Sequence, residues 1–263
     1  MTRTPITYGS YLRIPELLSI QRPVSDGPEH DEMLFIVIHQ VYELWFKQQI
    51  HEGRRLREAL AANDLPAAGG TLRRMLVILK TMVGQVDVLE TMTPVQFLSF
   101  RSFLESASGF QSWQFRAFEF LLGKKNSRVI AIQAEGSPER AALEREFREP
   151  TVWDAFLRML AANGVAVPPE LLARDVTQPI AADAALQAEL VRVYRELPHV
   201  RATCERLIDL DEGLQEWRYR HVKMVERTIG FKQGTGGSSG AEYLRSTLFA
   251  PMYPDLWAIR TVL

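Results

Sequence analysis

Cysteine is almost absent from this sequence. One residue of the 263, Cys204, is a cysteine. A single cysteine cannot form an intrachain disulfide, and no CxxC motif or Cys/His spacing typical of a metal site is present. Disulfide-stapled folds are excluded, and zinc and iron–sulfur sites lose the ligands they usually need.

The sequence also lacks an excess of charge and long hydrophobic runs. Lysine and arginine total 31 against 32 aspartate and glutamate, a formal net charge of −1, so we expect no nucleic-acid partner. The longest unbroken apolar run, Met33 to Ile38, is far too short to cross a bilayer. The first thirteen residues, MTRTPITYGSYLR, lack the apolar core of a signal peptide. We expect a cytoplasmic protein without membrane association.

What the sequence does contain is helical periodicity. Residues 32–62 hold no proline and one glycine, Gly53, and apolar side chains recur there at helical spacing. The same pattern predicts a helix over 71–92 and a long helix over 198–228 that ends at Gly230 in a left-handed cap. Further helix starts are indicated by Thr93-Pro94, Ser137-Pro138 and Thr151, and a helix end by Gly123. Because no long stretch alternates with period two, the prediction is an all-α fold in one domain.

Two histidines occur where the pattern predicts an apolar helical face. His39 lies in LFIVIHQVYELWF, four residues after Phe35, and His221 lies in the stripe that contains Trp217 and Met224. Each is interpreted either as a core histidine hydrogen-bonded to a backbone carbonyl or a carboxylate, or as a functional group. For His221 the functional hypothesis is an axial ligand to a non-covalent heme, since no CxxCH motif is present.

Arg101 lies between Phe97 and Leu104 on one predicted helical face. Its guanidinium either extends to solvent or forms a buried fork that binds a carboxylate through two hydrogen bonds.

Glycine is concentrated in IGFKQGTGGSSG, residues 229–240, which holds five of the chain's 16 glycines. The stretch matches neither the P-loop nor the G-x-G-x-x-G pattern, and it follows a predicted helix instead of a strand. A flexible linker and a mobile loop over a site are the two alternatives. Because the stretch follows the helix that carries His221, we favour a lid over that site.

Several long blocks of the sequence, in the same order, resemble the tryptophan 2,3-dioxygenase family. They are YGSYLRIPELL (8–18), HDEMLFIVIHQVYELWFKQQIHE (30–52), VDVLETMTPVQFLSFR (86–101), SASGFQSWQFRAFEFLLGKKN (106–126) and WRYRHVKMVERTIGFKQGTGGSSG (217–240). Residues 127–200 are only weakly marked.

The resemblance implies an all-α, heme b-containing homotetramer, a dimer of dimers with the heme pocket between long helices. The chain would form one dioxygenase domain, 1–263, whose residues 1–20 reach the neighbouring subunit. Such an enzyme cleaves the indole C2–C3 bond of L-tryptophan with O2 to N-formyl-L-kynurenine, the first step of the kynurenine route. The alternatives are a related heme enzyme that monooxygenates tryptophan or a methylated tryptophan to an oxindole, and a heme-binding sensor without turnover.

The resemblance also implies roles for individual residues. His221 matches the axial ligand of the heme iron, and His39 matches the catalytic distal histidine that contacts the indole N–H. Ser108 is similar to a serine beside the heme. The positions that match substrate contacts are Phe35, His39, Phe97, Arg101, Thr235 and, donated from the neighbouring subunit, Tyr8, Tyr11 and Leu12. Phe97 stands where some members of the family have tyrosine.

Overall fold

A computed structural model describes residues 5–230, 232 and 241–263 of the chain, with the backbone alone for 241 and 243. Every regular element in these ranges is helical, which confirms the predicted all-α class. The α-helices are α1 (Tyr8–Leu12), α2 (Ile14–Leu17), α3 (His30–Ala61), α4 (Leu65–Leu89), α5 (Pro94–Arg101), α6 (Trp113–Leu122), α7 (Pro138–Arg148), α8 (Val152–Ala162), α9 (Pro169–Leu172), α10 (Ala184–Glu196), α11 (Pro198–Ile229), α12 (Ala241–Ser246) and α13 (Pro254–Ala258). Short 3-10 helical segments lie between or after these helices, at Ser102–Leu104, Gly109–Gln111, Ser127–Ile132 and Ile259–Thr261.

Three long helices form the centre of the molecule. Helix α4 packs against both α3 and α11, and α6 and α8 pack on α3. Leu79 of α4 touches α11 at Gly213, where an added Cβ would lie 3.0 Å from its Cδ2. At Gly53 of α3 an added Cβ would lie 2.7 Å from Cδ2 of Leu121 on α6. The one glycine of the predicted first helix therefore permits a close helix–helix approach.

The helix starts predicted from Ser, Thr and Pro are confirmed by their side-chain contacts. Thr93 accepts a hydrogen bond from the Gln96 backbone N–H, and the Gln96 side chain accepts one from the Thr93 backbone N–H, so the pair forms a capping box. The hydroxyl oxygens of Ser137 and Thr151 accept hydrogen bonds from the backbone N–H groups of Arg140 and Asp154 and cap α7 and α8. Gly123 ends α6 with φ +126°, a conformation that favours glycine.

One predicted helix start and one predicted cap conformation are wrong. Helix α4 begins at Leu65 instead of residue 71, because the Asp64 carboxylate accepts a hydrogen bond from the Ala67 N–H and starts the helix before Gly69 and Gly70. Helix α11 ends at Gly230 as predicted, and φ there is positive, but ψ is −132°, so the cap is not the left-handed helical conformation.

The C-terminal segment is tied to α11 by one buried carboxylate. Asp211 accepts hydrogen bonds from the backbone N–H groups of Met252 (2.8 Å) and Tyr253 (3.1 Å) and from Nε1 of Trp257 (2.9 Å). Tyr253 stacks on Trp153 of α8, with ring centroids 5.4 Å apart. The chain after α12 is therefore fixed to the bundle two to three turns before His221.

The N-terminal helices α1 and α2 leave large apolar side chains in contact with water. Tyr8 is 77% exposed, Tyr11 74% and Leu12 43%, which is unusual for side chains of this size. In the described part of the chain, no helix is both long and apolar enough to span a bilayer.

Replacing Asp211 by alanine should destabilise the fold, because three buried N–H donors would lose their acceptor. We expect a loss of about 3 kcal/mol of unfolding free energy and a clear fall in Tm. Thermal unfolding followed by circular dichroism measures it. The matched control, Asp209→Ala on the exposed side of the same helix, should keep the wild-type Tm; equal losses in both variants would contradict the anchoring role.

Candidate functional site

A cavity of about 270 Å³ lies among helices α3, α4, α5, α6, α11 and α12. Its walls are mostly apolar, and they include the last turn of α4 and Met92 behind it. The lining residues that carry polar or aromatic groups are Phe35, His39, Tyr42, Glu43, Phe46, Phe97, Arg101, Ser108, Phe110, Ser112, Phe115, Arg116, Glu119, Trp217, Arg218, His221, Thr228 and Thr247. Such a mainly apolar space with a few polar groups is typical of a small-molecule site.

His39 enters the cavity from α3 in a defined tautomer. Its Nδ1 lies 2.7 Å from the carbonyl oxygen of Phe35, one turn earlier on the same helix. A carbonyl can only accept, so Nδ1 carries the proton and Nε2 is left as an acceptor. Burial lowers the pKa of His39, against the opposing influence of the Phe35 carbonyl and of Glu43. The ring is therefore neutral and offers one lone pair.

An aromatic slot surrounds His39. The Phe35 ring lies 4.1 Å from the His39 ring, 5.7 Å from the Phe97 ring and 5.6 Å from the Phe100 ring, centroid to centroid. Phe97 and Phe100 are on α5, whose last residue is Arg101. The helix thus places a guanidinium at the cavity wall directly beside the aromatic rings.

His221 enters the same cavity from α11. Its ring lies parallel to that of Trp217, one turn earlier, with centroids 5.3 Å apart and an interplanar angle of 3°. Trp217 is in turn surrounded by Tyr42, Phe46 and Phe115 at centroid distances of 5.0–6.3 Å. Burial is the main cause that lowers the pKa of His221 to about 4, and the positive charge of Arg116 adds to it. His221 is thus a neutral imidazole that packs parallel to an aromatic ring.

A buried group of charges lines the cavity between α6 and α11. Glu119 accepts hydrogen bonds from Arg116 Nη1 at 2.7 Å and Arg218 Nη2 at 2.8 Å, and Lys124 Nζ lies 3.4 Å from it. The three ion pairs hold the pKa of Glu119 below its usual value despite its burial. The guanidinium of Arg116 also lies 5.0 Å from the centroid of the Phe110 ring.

Ser108 occupies the rim of the cavity in a local turn. Its Oγ accepts a hydrogen bond from the Phe110 N–H at 3.2 Å, and its own N–H donates to the Gln111 side chain. This capping box starts the 3-10 segment at Gly109.

The geometry agrees with what the comparisons with known proteins show. The sequence model of the family described as Tryptophan 2,3-dioxygenase matches residues 1–147 and 170–263, nearly the whole chain. The chain belongs to the tryptophan 2,3-dioxygenase family. The unmatched residues, 148–169, fall within the region whose resemblance is weakly marked.

Curated tryptophan 2,3-dioxygenases of several bacteria are similar over nearly the full chain. That of Herpetosiphon aurantiacus is 62% identical over 255 residues, which cover 97% of each protein. That of Anaeromyxobacter sp. (strain K) is 56% identical over 260 residues, 98% of this chain and 96% of the relative. That of Cupriavidus necator is 41% identical over 259 residues, 97% of this chain and 87% of the relative. The prediction that this chain is an enzyme, a dioxygenase of tryptophan catabolism, is confirmed.

The structure brings most of the predicted site residues of this dioxygenase to one cavity. Those that line it are Phe35, His39, Phe97, Arg101, Ser108 and His221. Tyr8, Tyr11 and Leu12 do not line it within their own chain. Thr235 and most of the glycine-rich stretch interpreted as a lid lie outside the described residues. The individual roles of all these residues stay predictions.

Among the lining residues to which sequence reasoning gave no function are Trp217, Arg116, Glu119 and Arg218. One signal for the charged group was present. Arg116 and Glu119 are three residues apart in an otherwise apolar helix, a spacing at which opposite charges pair. Nothing in the sequence indicates that Arg218, 99 residues further on, joins them.

The tautomer of His39 can be measured directly. Two-bond ¹H–¹⁵N correlation NMR on protein labelled at histidine should show Nδ1 protonated and Nε2 unprotonated at neutral pH. Because burial lowers the pKa of His39, its ring should stay neutral to a lower pH than a solvent-exposed histidine does. A protonated Nε2, or a doubly protonated ring at pH 7, would contradict the assignment.

Proposed function

We propose that this dioxygenase cleaves the indole C2–C3 bond of L-tryptophan with O2 to give N-formyl-L-kynurenine, using heme b held by His221. The observation that carries the proposal is the pair of neutral histidines in one cavity. One, His39, lies beside the aromatic slot, and its Nε2 is the ring nitrogen left to accept a hydrogen bond. The other, His221, packs on Trp217, and no hydrogen bond to its ring is found among the described residues.

The residues around His221 fit a heme. A pKa of about 4 keeps the imidazole neutral, which is the form that ligates iron. The parallel Trp217 ring restricts the imidazole plane, as a ligand's second shell commonly does. Among the described residues no three His, Cys, Asp or Glu side chains come close enough to hold a metal ion, so His221 is the single protein ligand proposed. Heme, when bound, supplies the binding and activation of O2.

The other end of the cavity fits the substrate group by group. The rings of Phe35 and Phe97 provide an apolar slot for the indole. Nε2 of His39 accepts a hydrogen bond from the indole N–H, because Nδ1 is already committed to the Phe35 carbonyl. Arg101, at the end of α5, offers a planar fork for the carboxylate. Thr235 and Ser108 are proposed to contact the amino-acid head group and the heme, as the resemblance implies.

In this arrangement the protein mainly orients and desolvates the reactants. Three contacts of different chemistry fix tryptophan in one pose, which lowers the entropic part of the barrier. The aromatic walls exclude water from the indole. His39 holds the N–H proton at Nε2, and its lowered pKa means that it is neutral before the substrate binds. Both oxygen atoms of O2 end in the product, so no external reductant is required.

We propose further that the chain acts as a homotetramer, a dimer of dimers, in which residues 1–20 reach the neighbouring subunit. The exposed Tyr8, Tyr11 and Leu12 support this, because large apolar side chains in water favour association. Within their own chain they do not line the cavity. They are the residues proposed to complete the partner's substrate pocket.

The reaction is tested by product analysis. Purified protein loaded with heme, reduced and given L-tryptophan with ¹⁸O₂ should form N-formylkynurenine that carries two labelled oxygens. One labelled oxygen and an intact ring would show monooxygenation to an oxindole and overturn the proposal. A heme spectrum that tryptophan does not change, with no substrate consumed, would point to the sensor alternative.

His221→Ala should lose tight heme binding, because the single protein ligand to the iron is removed. Imidazole added at millimolar concentration should restore part of the heme absorbance by filling the vacated position. The matched control is His51→Ala, an exposed histidine on α3, which should bind heme as the wild type does. Full heme retention by His221→Ala without imidazole would contradict the assignment.

Arg101→Ala should lower kcat/KM for tryptophan roughly 10- to 100-fold, since a charge-assisted pair with the carboxylate is lost. For tryptamine, which has no carboxylate, the same variant should have about the kcat/KM of the wild type. Arg128→Ala, at an exposed position, serves as the control. Equal losses for tryptophan and tryptamine would show that Arg101 does not bind the carboxylate.

A further inference from the structure

The charges between α6 and α11 are not balanced within the protein. Glu119 is the one carboxylate of the group, and it faces Arg116, Arg218 and Lys124. Arg116, Glu119 and Arg218 are only 8%, 5% and 4% exposed. Burying positive charge without a counter-charge is costly, and the cost favours binding of an anion.

Two guanidinium nitrogens of this group are buried without a hydrogen-bond partner. They are Nε of Arg116 and Nη1 of Arg218, and no described residue supplies an acceptor for either. Buried N–H donors in native proteins are almost always paired, with a ligand where the protein provides nothing. Both residues line the cavity, so the missing acceptor can come from a molecule that the cavity binds.

The cluster lies on the His221 side of the cavity. Arg218 precedes His221 by three residues on α11, so both project from neighbouring positions of one helical face. Arg116 packs its guanidinium over Phe115 at 5.3 Å, and Phe115 packs on Trp217 at 5.0 Å, the ring that supports His221. The charge of Arg116 is also one of the causes that lower the pKa of His221.

We propose that Arg116 and Arg218, oriented by Glu119, bind a carboxylate of the porphyrin. This rests on the proposed function, which places a heme on His221. Two guanidiniums that share one carboxylate keep further N–H donors for a second one. The substrate carboxylate has its own candidate in Arg101, on a different helix.

The charges support this occupant. Three cations around one carboxylate leave two positive charges uncompensated, and heme b carries two carboxylates on one edge. Glu119 acts as a positioning residue, because it touches both guanidiniums but would repel the ligand itself.

The test compares iron protoporphyrin IX with its dimethyl ester, which has the same ring and iron but no carboxylate charge. The apoproteins of wild type, Arg116→Gln and Arg218→Gln are titrated with each, and Kd is read from the Soret band. The wild type should bind the free acid more tightly than the ester. In each glutamine variant free-acid affinity should fall roughly 10- to 100-fold, with ester affinity little changed. Arg158→Gln, exposed on α8, is the matched control and should keep the wild-type preference.

A wild-type preference for the free acid in both glutamine variants would overturn the proposal. So would weaker tryptophan binding with an unchanged heme preference, since the cluster would then serve the substrate. Failure of the proposed function gives a different result. The wild type would then bind neither iron protoporphyrin IX nor its dimethyl ester through His221. If the glutamine variants do not fold, Arg116→Lys and Arg218→Lys carry the test. Each keeps the charge but loses the planar fork, so a reduced preference is expected and an unchanged one overturns the proposal.

Discussion

The site depends on the way α4 packs against both α3 and α11. Tyr42 of α3 donates a hydrogen bond to the Met82 carbonyl of α4, and the rings of Tyr42 and Phe46 reach across to Trp217 of α11. At this level aromatic side chains fill the space between α3 and α11. These rings line one part of the cavity, and Val86 and Leu89 in the last turns of α4 line another. The opposed His39 and His221 are one turn from these filling rings on their respective helices.

The electrostatics of the cavity follow from the same packing. Both histidines are kept neutral by burial, so neither contributes a charge. The charges of the cavity wall come instead from Glu43 on α3, from Arg101 at the end of α5 and from the Arg116–Glu119–Arg218 group between α6 and α11. A neutral centre with cationic groups at its walls suits a pair of ligands that are aromatic in the middle and carry carboxylates at their edges.

Much of the fold could be predicted from local sequence. Helical periodicity gave the long helices, and Thr93-Pro94 gave a helix start, because capping depends on neighbours within four residues. The start of α4 was missed, because the glycine pair after Asp64 resembles a break while the Asp64 cap and the packing on α11 sustain the helix. His39 could be placed on an apolar face from sequence, but its tautomer required the 2.7 Å contact with the Phe35 carbonyl. The pairing of Arg218 with Glu119 joins residues 99 positions apart, and only the tertiary structure brings them together.

The central claim is a division of roles between the two histidines, with His221 on the iron and His39 on the substrate. A crystal structure of the ferrous, heme-loaded protein with L-tryptophan, prepared without O2, tests it most directly. The account predicts one protein ligand to the iron, a nitrogen of His221, and the indole nitrogen within hydrogen-bond distance of Nε2 of His39. Iron ligated by His39, or an indole nitrogen remote from it, would contradict the account.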